Sequence, residues 1–305
     1  DICISACQFC AFFKAPEDPN GKVLSKDELL QKIRETRELG GTQILLQGGL
    51  HPDLPLEFYE CMLGFMKATG IHIHGFSPPE ICHFAQISGL SVQEVLQRLM
   101  AAGLDSMPGG GAEILTDRVR EQLAPRKCSV DEWIAVMETA HNLGMRTTAT
   151  MMFGHIETWE ERLEHLQRLR DLQDRTGGFT AFIPWPFQPD NTALAEAVRK
   201  DQGMVKASAF TYLRMLALSR IFLDNFANVQ ASWVTQGPKI AQLSLFFGAN
   251  DFGSTMIEEN VVAAAGVHFR LSEQEIRHLV RDAGFNPQQR LMDYTLVKQE
   301  VVQEP

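Results

Sequence analysis

Residues 25–49 read SKDELLQKIRETRELGGTQILLQGG. The stretch holds one complete structural sentence. Ser25 and Glu28 form an S/T-x-x-E capping box, in which hydroxyl and carboxylate satisfy free backbone donors at a helix start. Gly40 supplies the stop, since glycine accepts the left-handed backbone at a helix end. A short β-rich run, 42–47, follows and breaks into Gln47-Gly48-Gly49. Helix, glycine, strand and loop is half of a parallel βα repeat.

The same sentence recurs along the chain. Capping boxes stand at Ser91/Glu94, Ser129/Glu132, Thr158/Glu161 and Ser272/Glu275, and the helices they open end near Gly103, Gly144, Gly177 and Gly284. Strand-like runs follow at 104–107, 146–153 and 179–184, with further candidates at 71–76, 228–233 and 243–247. Residues 2–4 read as the tail of one more strand. About eight strands alternating with helices predict an α/β fold with a parallel sheet, and at 305 residues a (β/α)8 TIM-type barrel leads. A doubly wound open sheet is the alternative, disfavoured because no G-x-G-x-x-G follows the first strand. The whole of 1–305 reads as one barrel domain, without linker or low-complexity tract. It begins at Asp1, without Met, two residues before a cysteine motif. A strand is expected ahead of that motif, so the barrel's first strand is expected to be largely missing and the chain N-terminally truncated.

Composition narrows the function classes. A formal net charge of −10 leaves no basic footprint for nucleic acid. No run approaches the roughly 18 apolar residues of a membrane span. Six cysteines without a regular framework point to a reducing compartment, with the cytoplasm as default. The expected partner is a small molecule.

Three of those cysteines, Cys3, Cys7 and Cys10, stand in a C-x3-C-x2-C spacing, with Phe9 before the third. Three thiolates on one loop can hold three corners of a cubane iron–sulfur cluster and leave the fourth iron open to a small molecule. A structural zinc loop would need a fourth Cys or His at suitable spacing. Cys61, Cys82 and Cys128 stand singly and imply no partner pair.

In a barrel of this kind the active site gathers at the C-terminal ends of the strands. The loops there are rich in glycine, proline and polar groups. Gly48-Gly49 is either a tight turn or a place where backbone approaches a ligand. Gly109 to Gly111 lacks the Lys-Ser/Thr of a P-loop and reads as close backbone packing against a ligand. Glu80 and Glu113 are candidates for acid, base or ribose-hydroxyl acceptor, or for loop ion pairs. His155 is a candidate base, and Glu157 either serves the site or complements a helix dipole. Asn250 and Asp251 offer polar groups at the last strand end. Trp185, Phe187 and Trp233 are candidates to wall an aromatic slot, or rim packing.

Collected, Cys3-x3-Cys7-x2-Cys10, Gln47-Gly48-Gly49 and Gly154-x-x-Glu157-Thr158 resemble the radical S-adenosylmethionine (SAM) superfamily. Cys10-Ala11-Phe12, Phe76-Ser77-Pro78-Pro79-Glu80-Ile81, the run from Pro108 to Ile114, Gly154-His155-Ile156-Glu157 and Gly248-Ala249-Asn250-Asp251 narrow this to the group that makes menaquinone precursors and the deazaflavin FO chromophore. Within it, the run from Phe252 to Val262, with Thr150 to Phe153 and Pro184 to Phe187, looks most like the dehypoxanthine futalosine cyclase family. Aminofutalosine synthase and FO synthase families share most of these loops. The resemblance implies a 4Fe–4S cluster on Cys3, Cys7 and Cys10, and SAM held with help from Phe9, Gln47, Gly48, Gly49, Ser77 and Glu157. It also implies a 5′-deoxyadenosyl radical that takes a ribose hydrogen before the sugar adds to the substrate's benzoate ring. Glu80, Glu113 and His155 are then the catalytic candidates, and Trp185, Phe187, Trp233, Asn250 and Asp251 those for a nucleoside-like substrate. An electron donor such as flavodoxin or ferredoxin is implied.

Overall fold

The computed structural model describes residues 1–199 and 206–297. Five strands, β1 (Gln43–Leu46), β2 (His72–Gly75), β3 (Ser106–Met107), β4 (Arg146–Phe153) and β5 (Phe179–Pro186), form one sheet in chain order. Every adjacent pair is parallel, so each connection must cross over, and helices make the crossings. All five expected capping boxes are formed, each with its hydroxyl accepting from the N3 amide and its N3 carboxylate accepting from the N-cap amide. Gly40, Gly103, Gly144, Gly177 and Gly284 follow these helices with positive φ. The punctuation that divides the sequence therefore divides the structure.

The sheet continues past β5 through single parallel bridges, Phe182 to Val229 and then Gln230 to Asp251. This is the path of a (β/α)8 barrel. Among the described residues the ring is not closed between Asp251 and β1, and Ile2 makes one bridge, to Lys14. One hydrophobic core runs from Cys7 to Val280. The Val130–Asn142 helix shows how it forms: Trp133, Val136, Met137 and Ala140 recur every three or four residues and are buried where the helix packs on β4 and its neighbouring helices. Each large apolar side chain so buried is worth about 1.5–3 kcal/mol. None of the described helices is long and apolar enough to cross a membrane.

Two expected strands differ. Residues 243–247 are not extended: a helix, Pro238–Ser244, runs into a 3-10 turn, Leu245–Phe247. The reason lies just upstream, where Gly237-Pro238 places proline at the first helical position with its φ already set. Of residues 228–233, Val229 and Gln230 make the bridges, and Trp233 opens a short helix, Trp233–Gln236. The last sheet position falls instead at Asp251. From the far end of the chain, Arg290 Nη2 donates to Asp251 Oδ2 at 2.5 Å and the Tyr294 hydroxyl donates to the same oxygen. The C-terminal segment is thereby pinned to the final sheet position.

Capping of the Val130–Asn142 helix is a test of this reading. Ser129→Ala removes the hydroxyl half of a formed box and should lower stability by about 1 kcal/mol. Thermal unfolding should show a drop of a few degrees, with the far-ultraviolet circular dichroism of the folded protein unchanged.

Candidate functional site

The cysteine loop is docked against the end of β1 with no clearance. A Cβ added at Gly49 would lie 2.0 Å from the Ile2 carbonyl oxygen and 2.8 Å from Cys3 Cβ, so only glycine permits the approach. Ile4 N donates to Leu50 O at 3.0 Å, and two backbone amides, Leu50 N at 3.3 Å and Ser5 N at 3.4 Å, donate to Cys3 Sγ. Cys7 is buried, its Sγ 3.1 Å from Ser5 Oγ. On its other side the loop is tied by Gln8 N to Leu123 O and by Arg126 Nη1 to Ile4 O. Ala6 takes a positive φ of 46°, which costs a non-glycine residue about 1–2 kcal/mol.

The donor set fits an iron–sulfur cluster. A closed zinc site asks for four ligands around one ion, and this loop offers three thiols. A cubane instead asks each thiolate for a separate iron, and amides directed at a sulfur stabilise its charge.

Around this loop the strand ends bring several expected residues together. Gln47 and Gly48 are exposed at the end of β1. Glu80 is only 4 % exposed, with Oε1 accepting from Gly48 N at 3.1 Å and Oε2 accepting from Ser77 Oγ at 2.6 Å. Burial pushes its carboxyl up to about 7, against the pull of those two hydrogen bonds and of Lys127. Glu80 thus sets the turn that carries Gly48. Glu113, in a left-handed backbone conformation with φ 42°, pairs through Oε1 with Lys127 Nζ at 2.9 Å. Its Oε2 is buried without a partner. Lys127 also stands 5.1 Å over the Phe9 ring. No motif in the sequence singles out Lys127; only its fourteen-residue return to Glu113 in space reveals it.

Most of the other expected residues have partners within the protein. His155 and Glu157 have side chains with no exposure. His155 Nε2 donates to Met152 O at 2.9 Å, and Nδ1 lies 2.7 Å from Ile156 N and 2.9 Å from Glu157 Oε2. Glu157 accepts from Gly154 N, His155 N and Arg162. Burial works to raise its carboxyl, but His155, Gly154 and Arg162 prevail and hold it at about 2. Gly109 to Gly111 approach protein rather than open space: added Cβ atoms would meet Thr148 O at 2.6 Å, Gln47 Nε2 at 2.5 Å and Pro79 Cγ at 2.4 Å. Trp233 is buried with its indole N–H on Ser254 O, and Phe187 is buried edge-on to His155. Trp185 is half-buried near the end of β5 and packs against the core. Asn250 binds Arg220, Val229 N and Ala227 O, while Asp251 is taken by Arg290 and Tyr294. Cys82 and Cys128, which imply no pair in the sequence, lie near enough for each thiol to shift the other, that of Cys82 up and that of Cys128 down.

Glu80 makes the pH dependence specific. A carboxyl raised from 4.5 to about 7 by folding favours the folded state fully below pH 4.5, and that contribution is lost as pH rises through about 7. Urea unfolding of the protein and of Glu80→Gln should therefore give a stability difference that moves by about 3 kcal/mol against the wild type between pH 4.5 and 8. A difference independent of pH would contradict this account of Glu80.

Comparison with known proteins agrees with the geometry. Residues 1–169 match the family model of the radical SAM superfamily, and residues 176–302 that of the CofH/MqnC C-terminal region. The cyclic dehypoxanthine futalosine synthase of Halalkalibacterium halodurans is 48 % identical over 303 residues, covering 98 % of this chain and 79 % of that protein. The enzyme of the same name from Streptomyces coelicolor is 48 % identical, covering 96 % of this chain and 73 % of its own. A 5-amino-6-(D-ribitylamino)uracil–L-tyrosine 4-hydroxyphenyl transferase from Methanopyrus kandleri is 42 % identical over 98 % of this chain and 81 % of its own. Among solved structures, methylornithine synthase superposes with a TM-score of 0.68 at 16 % identity, covering 94 % of this chain and 80 % of its own, which supports the barrel fold alone. With its barrel path, its three-thiol loop at the strand ends and these matches, the chain belongs to the radical SAM superfamily, whose members use a 4Fe–4S cluster and SAM.

Proposed function

We propose that the chain is a cyclic dehypoxanthine futalosine synthase, a radical SAM enzyme that closes a ring between the ribose and the benzoate of dehypoxanthine futalosine on the way to menaquinone. The observation that carries this is identity of 48 % with two enzymes of that name over 96 % or more of the chain. Cys3, Cys7 and Cys10 are the residues to hold the cluster. When bound, cluster and SAM supply one-electron reduction and abstraction of the ribose hydrogen.

The chain's own residues do the placing. Gly48 offers backbone to the cofactor where an added Cβ would meet nothing nearer than Glu80 Oε1 at 3.8 Å, Gly49 seats the cysteine loop beside it, and Glu80, through Gly48 N and Ser77, keeps that backbone in position. The free Oε2 of Glu113 is an acceptor in search of a donor, and a ribose hydroxyl suits it. Trp185, half-buried near the end of β5, is the candidate to face an aromatic acid. His155 and Glu157 hold the β4 turn rigid, and a rigid, dry mouth limits side reactions of a radical. The one continuous core supports a single barrel unit over 1–305. An electron donor of the flavodoxin or ferredoxin kind and a cytoplasmic setting complete the proposal.

A second reading rests on the archaeal transferases, one of them 42 % identical over 98 % of the chain. One experiment separates the two. Protein reconstituted anaerobically with iron and sulfide is given SAM, dithionite and either dehypoxanthine futalosine or L-tyrosine with 5-amino-6-(D-ribitylamino)uracil. Turnover to a cyclised product with the first alone is expected, and Cys7→Ala should lower 5′-deoxyadenosine formation at least a hundredfold. Turnover with the second substrates alone would overturn the cyclase assignment.

A further inference from the structure

Lys127 is a cation in an unusual place. Its side chain is 16 % exposed, although lysine ordinarily keeps its ammonium in water. It contacts two things: the Glu113 carboxylate at 2.9 Å and, 5.1 Å away, the ring of Phe9, which lies between Cys7 and Cys10. The surrounding backbone is built to keep it there. Arg120, itself buried, donates from Nη1 to Gly111 O and Ala112 O and from Nε to Cys128 O, so one guanidinium braces the residues just before Glu113 and just after Lys127. Glu113 holds a left-handed backbone conformation that a side chain resists, and strain of this kind persists where the surroundings over-determine it.

We propose that Lys127 is a positioning residue whose fixed positive charge, set between Glu113 and the cysteine loop, eases reduction of the cluster that the loop is assigned to hold. The inference rests on that assignment. A cluster on three thiolates becomes more negative when it gains an electron. In a poorly solvated site a nearby cation favours that state and a nearby anion opposes it. Lys127 and Glu113 therefore act with opposite signs. A pair that only supported the fold would not separate them in this way.

The test is a redox titration of the reconstituted protein without SAM, followed by EPR of the reduced cluster, together with iron and sulfide content. Lys127→Met should lower the reduced-to-oxidised ratio at fixed potential about tenfold, a shift of 59 mV for one electron. Glu113→Gln should move it the other way, and Lys127→Arg should stay within threefold of wild type. Because Lys127→Met strands a buried carboxylate, the double variant Lys127→Met/Glu113→Gln, which leaves neither charge, provides a second measurement and should fall between the two single variants. Shifts of the same sign in Lys127→Met and Glu113→Gln, or none beyond threefold, at wild-type iron content would overturn the inference alone. Wild-type protein that takes up no iron would overturn the cluster assignment and the inference with it.

Discussion

The mouth of this sheet depends on one close approach, that of the cysteine loop to Gly49. A methyl group there would overlap the Ile2 carbonyl, so the docked loop and the end of β1 are mutually exclusive with any side chain at this position. Cys3, through its amide partners Leu50 N and Ser5 N, inherits its orientation from the contact. From Gly49 the dependence runs outward. Gly48 is held by Glu80, Glu80 by Ser77, and the three residues are drawn from the loop after β1 and from the Pro78–Ser88 helix with its cap. The site is set by the ends of separate elements meeting, as expected where a barrel positions loops.

The carboxylates of the mouth fall into two kinds. Glu157 is saturated, with amides, imidazole and guanidinium around it, and Glu80 has both oxygens engaged. Such groups shape backbone. Glu113 differs, since one oxygen is paired with Lys127 and the other is buried and unclaimed. Leaving a buried acceptor without a donor costs about 1–3 kcal/mol, an expense readily recovered when a ligand supplies the hydrogen.

What the sequence discloses is local, and what it hides is not. The five capping boxes and the glycines behind them each sit within a few residues of their partners, so a linear reading finds them. The strand expected at 243–247 fails because a run of apolar residues fits either period, and the Gly237-Pro238 start signal decides for a helix. Asp251 reads as a loop polar group, since nothing nearby announces Arg290 thirty-nine residues on. Lys127, and the nearness of Cys82 to Cys128, are likewise products of the fold. The cysteine loop is legible for the opposite reason: its chemistry is written into its own spacing.

The docking of that loop has a consequence for synthesis. Its thiols are made before their partners, since Gly49 lies 39 residues beyond Cys10 and Lys127 lies 117 beyond. At roughly 5–20 residues per second, translation from Cys10 to Lys127 takes about 6 to 23 s. For that interval the nascent chain carries three cysteines without their counter-charge, and for about the first third of it without their turn as well. Delivery of iron and sulfide therefore has most to gain by waiting until the middle of the chain has left the ribosome, and oxidation of the thiols has most to gain by not waiting.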